Sequence, residues 1–442
     1  MEQSLFREHI KRGLGSIILA LRSNSNIEQY KDIVLWAALN DACYERYFEN
    51  LRGEYLFEAI TCFNDNQFFI NELINKFNNP KLKNIYDFVQ IANILFYFAI
   101  NGGEHAQNVF YKKYYELRET ILNSKRLMSI KKKVAIEQKM LEEICVWRTS
   151  LGGFDIFKNI VDDLLPYYLR NQNKKHFEWF WFFENSFDKF GSKRVLKYLQ
   201  QKGIFYGEAK EKPLQEDKLS LEDVISFCNK KLSQKIRQKI RRFGRKAATD
   251  ELLNVSESII NETNLNVKAN LLEVFKYAPF CSDIKYLIEY SKTTHKQLKA
   301  IAFDVLREIV DDTIHDYAVE LIIANKDISN AVILLCNNFR KNDASLLCSA
   351  IKKIKVSYKH SEWHSAFMDI NSLIESNKHA PAEILEYMYS YTLCSYCREL
   401  IVKNIVKRKL PCAYRILEEC RYDCNYDIRQ FAERRLSSKT NE

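Results

Sequence analysis

Along the C-terminal half of the chain, apolar residues recur at positions 0, 4 and 8 of a unit of about 31 residues, usually with a basic residue at position 1. Val267, Lys268, Leu271 and Phe275 fit this template, as do Leu298, Lys299, Ala302 and Leu306. Cys397, Arg398, Ile401 and Ile405 fit again, followed by Ile428, Arg429, Ala432 and Leu436. Ile328, Val332 and Cys336 carry Ser329 in the basic slot, and Ala366, Ile370 and Ile374 carry Phe367 there. Upstream, Ile236, Arg237 and Ile240 match, but Gly244 fails the last position. The start-to-start spacings are 31, 31, 30, 38, 31 and 31 residues. Positions 0, 4 and 8 lie on one face of a helix, with position 1 roughly 100° around it. Each stripe therefore predicts a helix buried along one side.

Between these stripes, residues 250–260, 282–290, 316–323, 344–354, 382–393 and 412–420 show helical periodicity of their own. The chain thus reads as helix pairs joined by short polar turns such as Lys292-Thr293-Thr294. No pair of this size can bury its apolar face alone, so neighbours must stack. The run Asp427-Ile428-Arg429-Gln430-Phe431-Ala432-Glu433-Arg434-Arg435-Leu436 resembles the second helix of a HEAT repeat. That family shows an aspartate, a β-branched residue and an arginine, then alanine and leucine on the same face; Val267-Lys268 and Cys397-Arg398 carry weaker versions. The resemblance spans roughly residues 220–437. It implies an all-α fold, a right-handed α-solenoid of stacked antiparallel helix pairs. It also implies that the position-1 base pairs with an acid in the turn between repeats. Such arrays bind proteins or nucleic acids and, rarely, act as DNA glycosylases, so the fold alone does not choose a function.

The N-terminal half reads as helical but irregular, with helices over 27–39, 55–63, 85–100, 106–122, 136–147, 157–169 and 177–190. Gly102-Gly103, Gly152-Gly153 and Gly191 punctuate them. Residues 203–219 hold Gly207, Pro213 and many charges without periodicity, and read as a linker. The expected organisation is an irregular helical region over 1–202, the linker, and a HEAT-like array over 220–442.

Composition narrows the class. Eleven glycines and six prolines cannot supply the turns of an all-β chain, and 13% aromatic residues exclude disorder. No apolar run approaches the roughly 18 residues that span a bilayer. Leu14 to Leu21 comes closest early on and is broken by Gly15 and Ser16, so no membrane association is expected. Twelve cysteines without a secretion signal read as reduced thiols in a cytoplasmic protein.

The net charge of +10 is mild, but its distribution is not. Residues 230–246 hold nine bases in seventeen positions and no acid: Lys230, Lys231, Lys235, Arg237, Lys239, Arg241, Arg242, Arg245 and Lys246. Ile236, Ile240 and Phe243 form the apolar stripe of this segment, leaving a positive polar face that would attract phosphates. The bland alternative is a solvated face balanced by Glu222, Asp223 and Asp250. Candidate partner-binding or phosphate-binding residues are Lys235, Arg237, Lys239, Arg241, Arg242, Arg245 and Lys246, with the position-1 bases Lys268, Lys299, Arg398 and Arg429.

Other clusters carry less. Cys394-x2-Cys397 and Cys420-x3-Cys424 have zinc-like spacing, but Cys397 already occupies a core position of the repeat and no knuckle glycine is present. His360 and His364 lie one turn apart, with Glu362 displaced from the metalloprotease order. The aromatic run His176-Phe177-Glu178-Trp179-Phe180-Trp181-Phe182-Phe183 reads first as core. Tyr44-Glu45-Arg46-Tyr47 and Arg52-Gly53-Glu54-Tyr55 could line a pocket. There is no phosphate-binding glycine loop, nucleophile elbow or dinucleotide fingerprint. No catalytic residue, metal or cofactor is therefore assigned. The expected function is a non-catalytic scaffold with a protein partner, and the alternative is a nucleic-acid-binding protein. A glycosylase would need a pocket of aromatics and a carboxylate that the sequence does not assemble.

Overall fold

The computed structural model describes residues 1–442 except 25, 46–48, 50, 80–84, 124–131, 172–179, 205–218, 360 and 440–442. Among the described residues the regular elements are twenty-four α-helices and three short 3-10 helices, with no extended strand. None of these helices is long and apolar enough to cross a membrane. Most of the 203–219 linker lies outside the described residues.

The chain forms two compact units, one of Met1–Glu211, Cys394–Glu399 and Tyr414–Glu442, the other of Lys212–Leu393 and Leu400–Ala413. The first unit is built around Ile85–Ile100, a helix that buries residues on every side, including Phe88, Ile91, Ile94 and Leu95. Helices apolar all round become centres rather than faces. Gly53–Thr61, Lys31–Leu39, Glu104–Asn123 and Lys132–Asn171 pack around it. Its buried Gln90 is satisfied by donating to the carbonyl of Ala37 at 2.7 Å, at the end of Lys31–Leu39. The long stretch Lys132–Asn171 breaks at Gly153, where the backbone leaves the helical region at the predicted glycine pair.

The second unit is a succession of helix pairs. Leu221–Cys228 precedes Gln234–Lys246, and Thr249–Asn261 precedes Leu265–Leu272, which tightens into the 3-10 turn Glu273–Tyr277. Ile284–Lys292 precedes Lys296–Leu306, Asp312–Ile323 precedes Ile328–Asn337, and Ala344–Ile351 precedes Glu362–Ser376. The second helices contact one another along the series, Leu265–Leu272 against Lys296–Leu306 and Ile328–Asn337 against Glu362–Ser376. Side-chain caps start many of these helices without glycine. Ser233, Asn264, Asp283, His295 and Asp311 each accept a backbone N–H of the first turn.

Of the template positions, Leu271, Phe275, Leu298, Ala302, Leu306, Val332, Ala366, Ile370, Ile374, Ile401 and Ile405 are buried, whereas Ile236, Ile328 and Leu436 are only half-buried. Two irregularities have physical causes. At Gly244 a Cβ would lie 2.0 Å from the carbonyl oxygen of Val274, so the helix and the neighbouring 3-10 turn meet backbone to backbone and no side chain fits. The long spacing before Ala366 is a longer loop, tied down where the buried Trp363 donates its indole N–H to the carbonyl of Ser357 at 3.0 Å.

Candidate functional site

The basic segment folds as the helix Gln234–Lys246, with Ile240 and Phe243 turned into the core. Its charges divide into two stripes. Arg237 and Arg241, one turn apart, converge on Glu273, at 2.5 Å to Oε1 and 2.7 Å to Oε2. Glu273 is only 2% exposed, so a single buried carboxylate serves two guanidinium groups and the cluster keeps a net positive charge. Exposed Arg245 continues the Arg237–Arg241 row at i+4, whereas on the other stripe Lys235, Arg242 and Lys246 are exposed and Lys239 is half-buried. Arg245 lies over the ring of Tyr277 at 4.3 Å, and that ring is itself 47% exposed.

The position-1 bases are engaged inside the fold. Lys268 is buried against Tyr290, with Nζ 3.4 Å from its hydroxyl and 4.6 Å from its ring. Lys299 donates to Asp327, immediately before the next unit, at 2.8 Å. Arg398 is fully buried, and its Nε and Nη2 donate to Asp423 at 2.7 and 3.0 Å. Arg429 donates to the carbonyl of Asp423 at 2.8 Å and pairs with Glu54. Among these positions the structure shows ion pairs and ring contacts rather than a solvent-facing row.

In the first unit Arg398 belongs to a buried polar centre. Its Nη2 also donates to the carbonyl of Arg12 at 3.0 Å, and the N–H of Cys424 donates to the carbonyl of Gly13 at 2.9 Å. Gly13 has φ 73°, and a Cβ there would lie 2.1 Å from the Cys424 sulfur, so only glycine fits. Arg52 donates to Glu49 at 2.9 Å and also to the carbonyl of Lys11. Tyr55 donates to the carbonyl of Leu14 at 2.9 Å. Of the early polar-aromatic clusters, Arg52 and Tyr55 are thus structural, and Arg46 and Tyr47 lie outside the described residues. Burial pushes the Cys424 thiol up to about 11, against the pull of Arg52. A hydrogen bond to Cys394, with burial, raises Cys397 as well. His360 and most of the 176–183 aromatic run lie outside the described residues, and Phe182 and Phe183 are core.

A second polar cluster carried no sequence signal. Glu142 and Glu143 are buried on Lys132–Asn171, and Lys139 reaches them at 3.0 and 3.5 Å. Burial raises the Glu143 carboxyl to about 7 despite Lys139. Nearby Arg148 is buried over the ring of Tyr114 at 4.0 Å. No protein-family model matches the chain, and no curated protein matches it.

Proposed function

We propose that the chain is a non-catalytic helical-repeat scaffold, a right-handed, HEAT-like α-solenoid over about residues 220–437, that binds a macromolecular partner through a partly basic surface. The observation that carries this reading is the division of the basic helix. Arg237 and Arg241 are anchored on Glu273, while Lys235, Arg242 and Lys246 stand exposed along the other stripe and Arg245 is exposed at the end of the first, with no acid on their own helix. A stripe of this kind favours an anionic partner.

A second reading is a nucleic-acid-binding protein, favoured by the exposed Tyr277 ring beside Arg245, at the end of the arginine row. Titration of the full chain with a labelled DNA duplex and with poly-glutamate, at about 50 and 200 mM salt, separates the two, because phosphate contacts carry a steep salt slope. Preference for poly-glutamate supports an acidic protein partner, and preference for DNA supports the second reading. Binding of neither at low salt defeats the basic-surface proposal.

A further inference from the structure

Between the start of Gln234–Lys246 and the start of Leu265–Leu272 lies a cleft of about 430 Å³, the size range of small-ligand sites. Three bases line it, Lys230, Lys231 and Arg237. Its other polar walls are carboxamides, among them Asn229, Asn264, Asn266 and Gln297, and no carboxylate lines it. The walls are fixed in place. Asn270 donates to the carbonyls of Cys228 and Lys230 at 2.9 and 3.1 Å, and Gln297 donates to Asn270 at 3.0 Å.

The charge balance in this cleft is uncompensated. Arg237 shares the single carboxylate of Glu273 with Arg241, and among the described residues no carboxylate pairs with Lys230 or Lys231. Both lysines are exposed. A cleft with three cations, neutral carboxamides and no acid favours an oxyanion. Two features select its source. Asn and Gln carboxamides match the donor and acceptor edges of nucleobases, and the row Arg237, Arg241 and Arg245, one turn apart on one helix face, runs from the cleft to the Tyr277 ring. A thirteen-residue helix spans about 20 Å, a length that several nucleotides can follow. Cationic tracks ending on exposed rings are the usual means of holding single strands.

We propose that this cleft binds a phosphodiester of a single-stranded nucleic acid, whose neighbouring nucleotides run along the arginine row from Arg237 to Arg245 towards Tyr277. This rests on the nucleic-acid reading above. The test uses the full chain and a labelled single-stranded oligonucleotide of about twelve nucleotides, within the range of known site sizes. Binding is titrated at several salt concentrations for wild type, Lys230→Gln/Lys231→Gln and Arg242→Gln/Arg245→Gln. The lysine pair should weaken binding and lower the salt slope by about 1.4, two contacts at roughly 0.7 each. Its thermal midpoint should match wild type, because both lysines are exposed. Inorganic phosphate should compete more strongly than chloride at equal ionic strength. If wild type binds and only the arginine pair weakens it, the cleft is wrong and the nucleic-acid reading stands. If no oligonucleotide binds at low salt, both fall. If inorganic phosphate raises the thermal midpoint while no oligonucleotide binds, the cleft serves a free phosphate compound and the strand proposal is overturned.

Discussion

Arg398 and Asp423 face each other with neither side chain reaching solvent, joined by two hydrogen bonds of 2.7 and 3.0 Å. The same guanidinium holds the carbonyl of Arg12, so a single ion pair links the closing helices of the chain to its first one. Removing one partner of a buried pair costs far more than the pair contributes, because the other charge is stranded. Asp423→Asn should therefore destabilise the first unit by about 3–5 kcal/mol, read as a lowered urea midpoint. Arg398→Met with Asp423→Leu should recover part of that loss. An unchanged midpoint in Asp423→Asn would show that the pair is not closed in solution.

The anchored and the exposed arginines of the basic helix should respond differently to the same chemistry. Arg237→Gln with Arg241→Gln leaves Glu273 buried without a counter-charge and should cost roughly 2 kcal/mol, discounted for the partial exposure of both arginines. Arg242→Gln with Arg245→Gln should leave the unfolding free energy within about 0.5 kcal/mol of wild type. Equal effects of the two variants would contradict the division.

Ala432 is 0% exposed at the middle of the last repeat stripe. Ala432→Arg must bury a charge or force the helix Tyr426–Lys439 outward, costing several kcal/mol. Limited proteolysis of the last thirty or so residues should become faster. Unchanged cleavage would sink the register.

Glu143 supplies a pH dependence. Its folded carboxyl sits near 7, above the ordinary 4.5, so the folded state binds the proton more tightly than the unfolded chain. Stability from this group is full below pH 4.5 and is lost as pH rises through 7. The span corresponds to about 3 kcal/mol. Glu143→Gln should match wild type near pH 4.5 and melt at a higher temperature near pH 8. A mutant that loses stability equally at both values would show that the carboxyl is not held neutral.

Much of the second unit was legible in sequence because its stripes are aliphatic and evenly spaced. The predicted first helices over 250–260, 316–323 and 344–354 correspond to Thr249–Asn261, Asp312–Ile323 and Ala344–Ile351. What escaped was decided by partners distant in sequence. Gly244 looked like a failed repeat position, and its reason is the Val274 carbonyl thirty residues on. The acid-free run looked uncompensated because Glu273 belongs to the following unit. In the first half, Gln3–Arg12, Asn66–Asn78 and Ser192–Gln201 went unread as helices. Gln3–Arg12 and Ser192–Gln201 bury too few apolar residues to set a period, whereas Asn66–Asn78 carries Phe69, Leu73 and Phe77 at the 0, 4 and 8 spacing and was legible but not read. The contact of Arg398 with Arg12 has no local signature at all.

The first unit takes its residues from both ends of the chain, and this sets an order of events during synthesis. Met1–Glu211 leaves the ribosome with the carbonyls of Arg12 and Gly13 lacking the donors that Arg398 and Cys424 later provide. At about 5–20 residues per second, that surface waits roughly ten to forty seconds for the segment after residue 394. The nascent N-terminal helices must hold an open polar seam for that interval, and chaperone capture would be concentrated there.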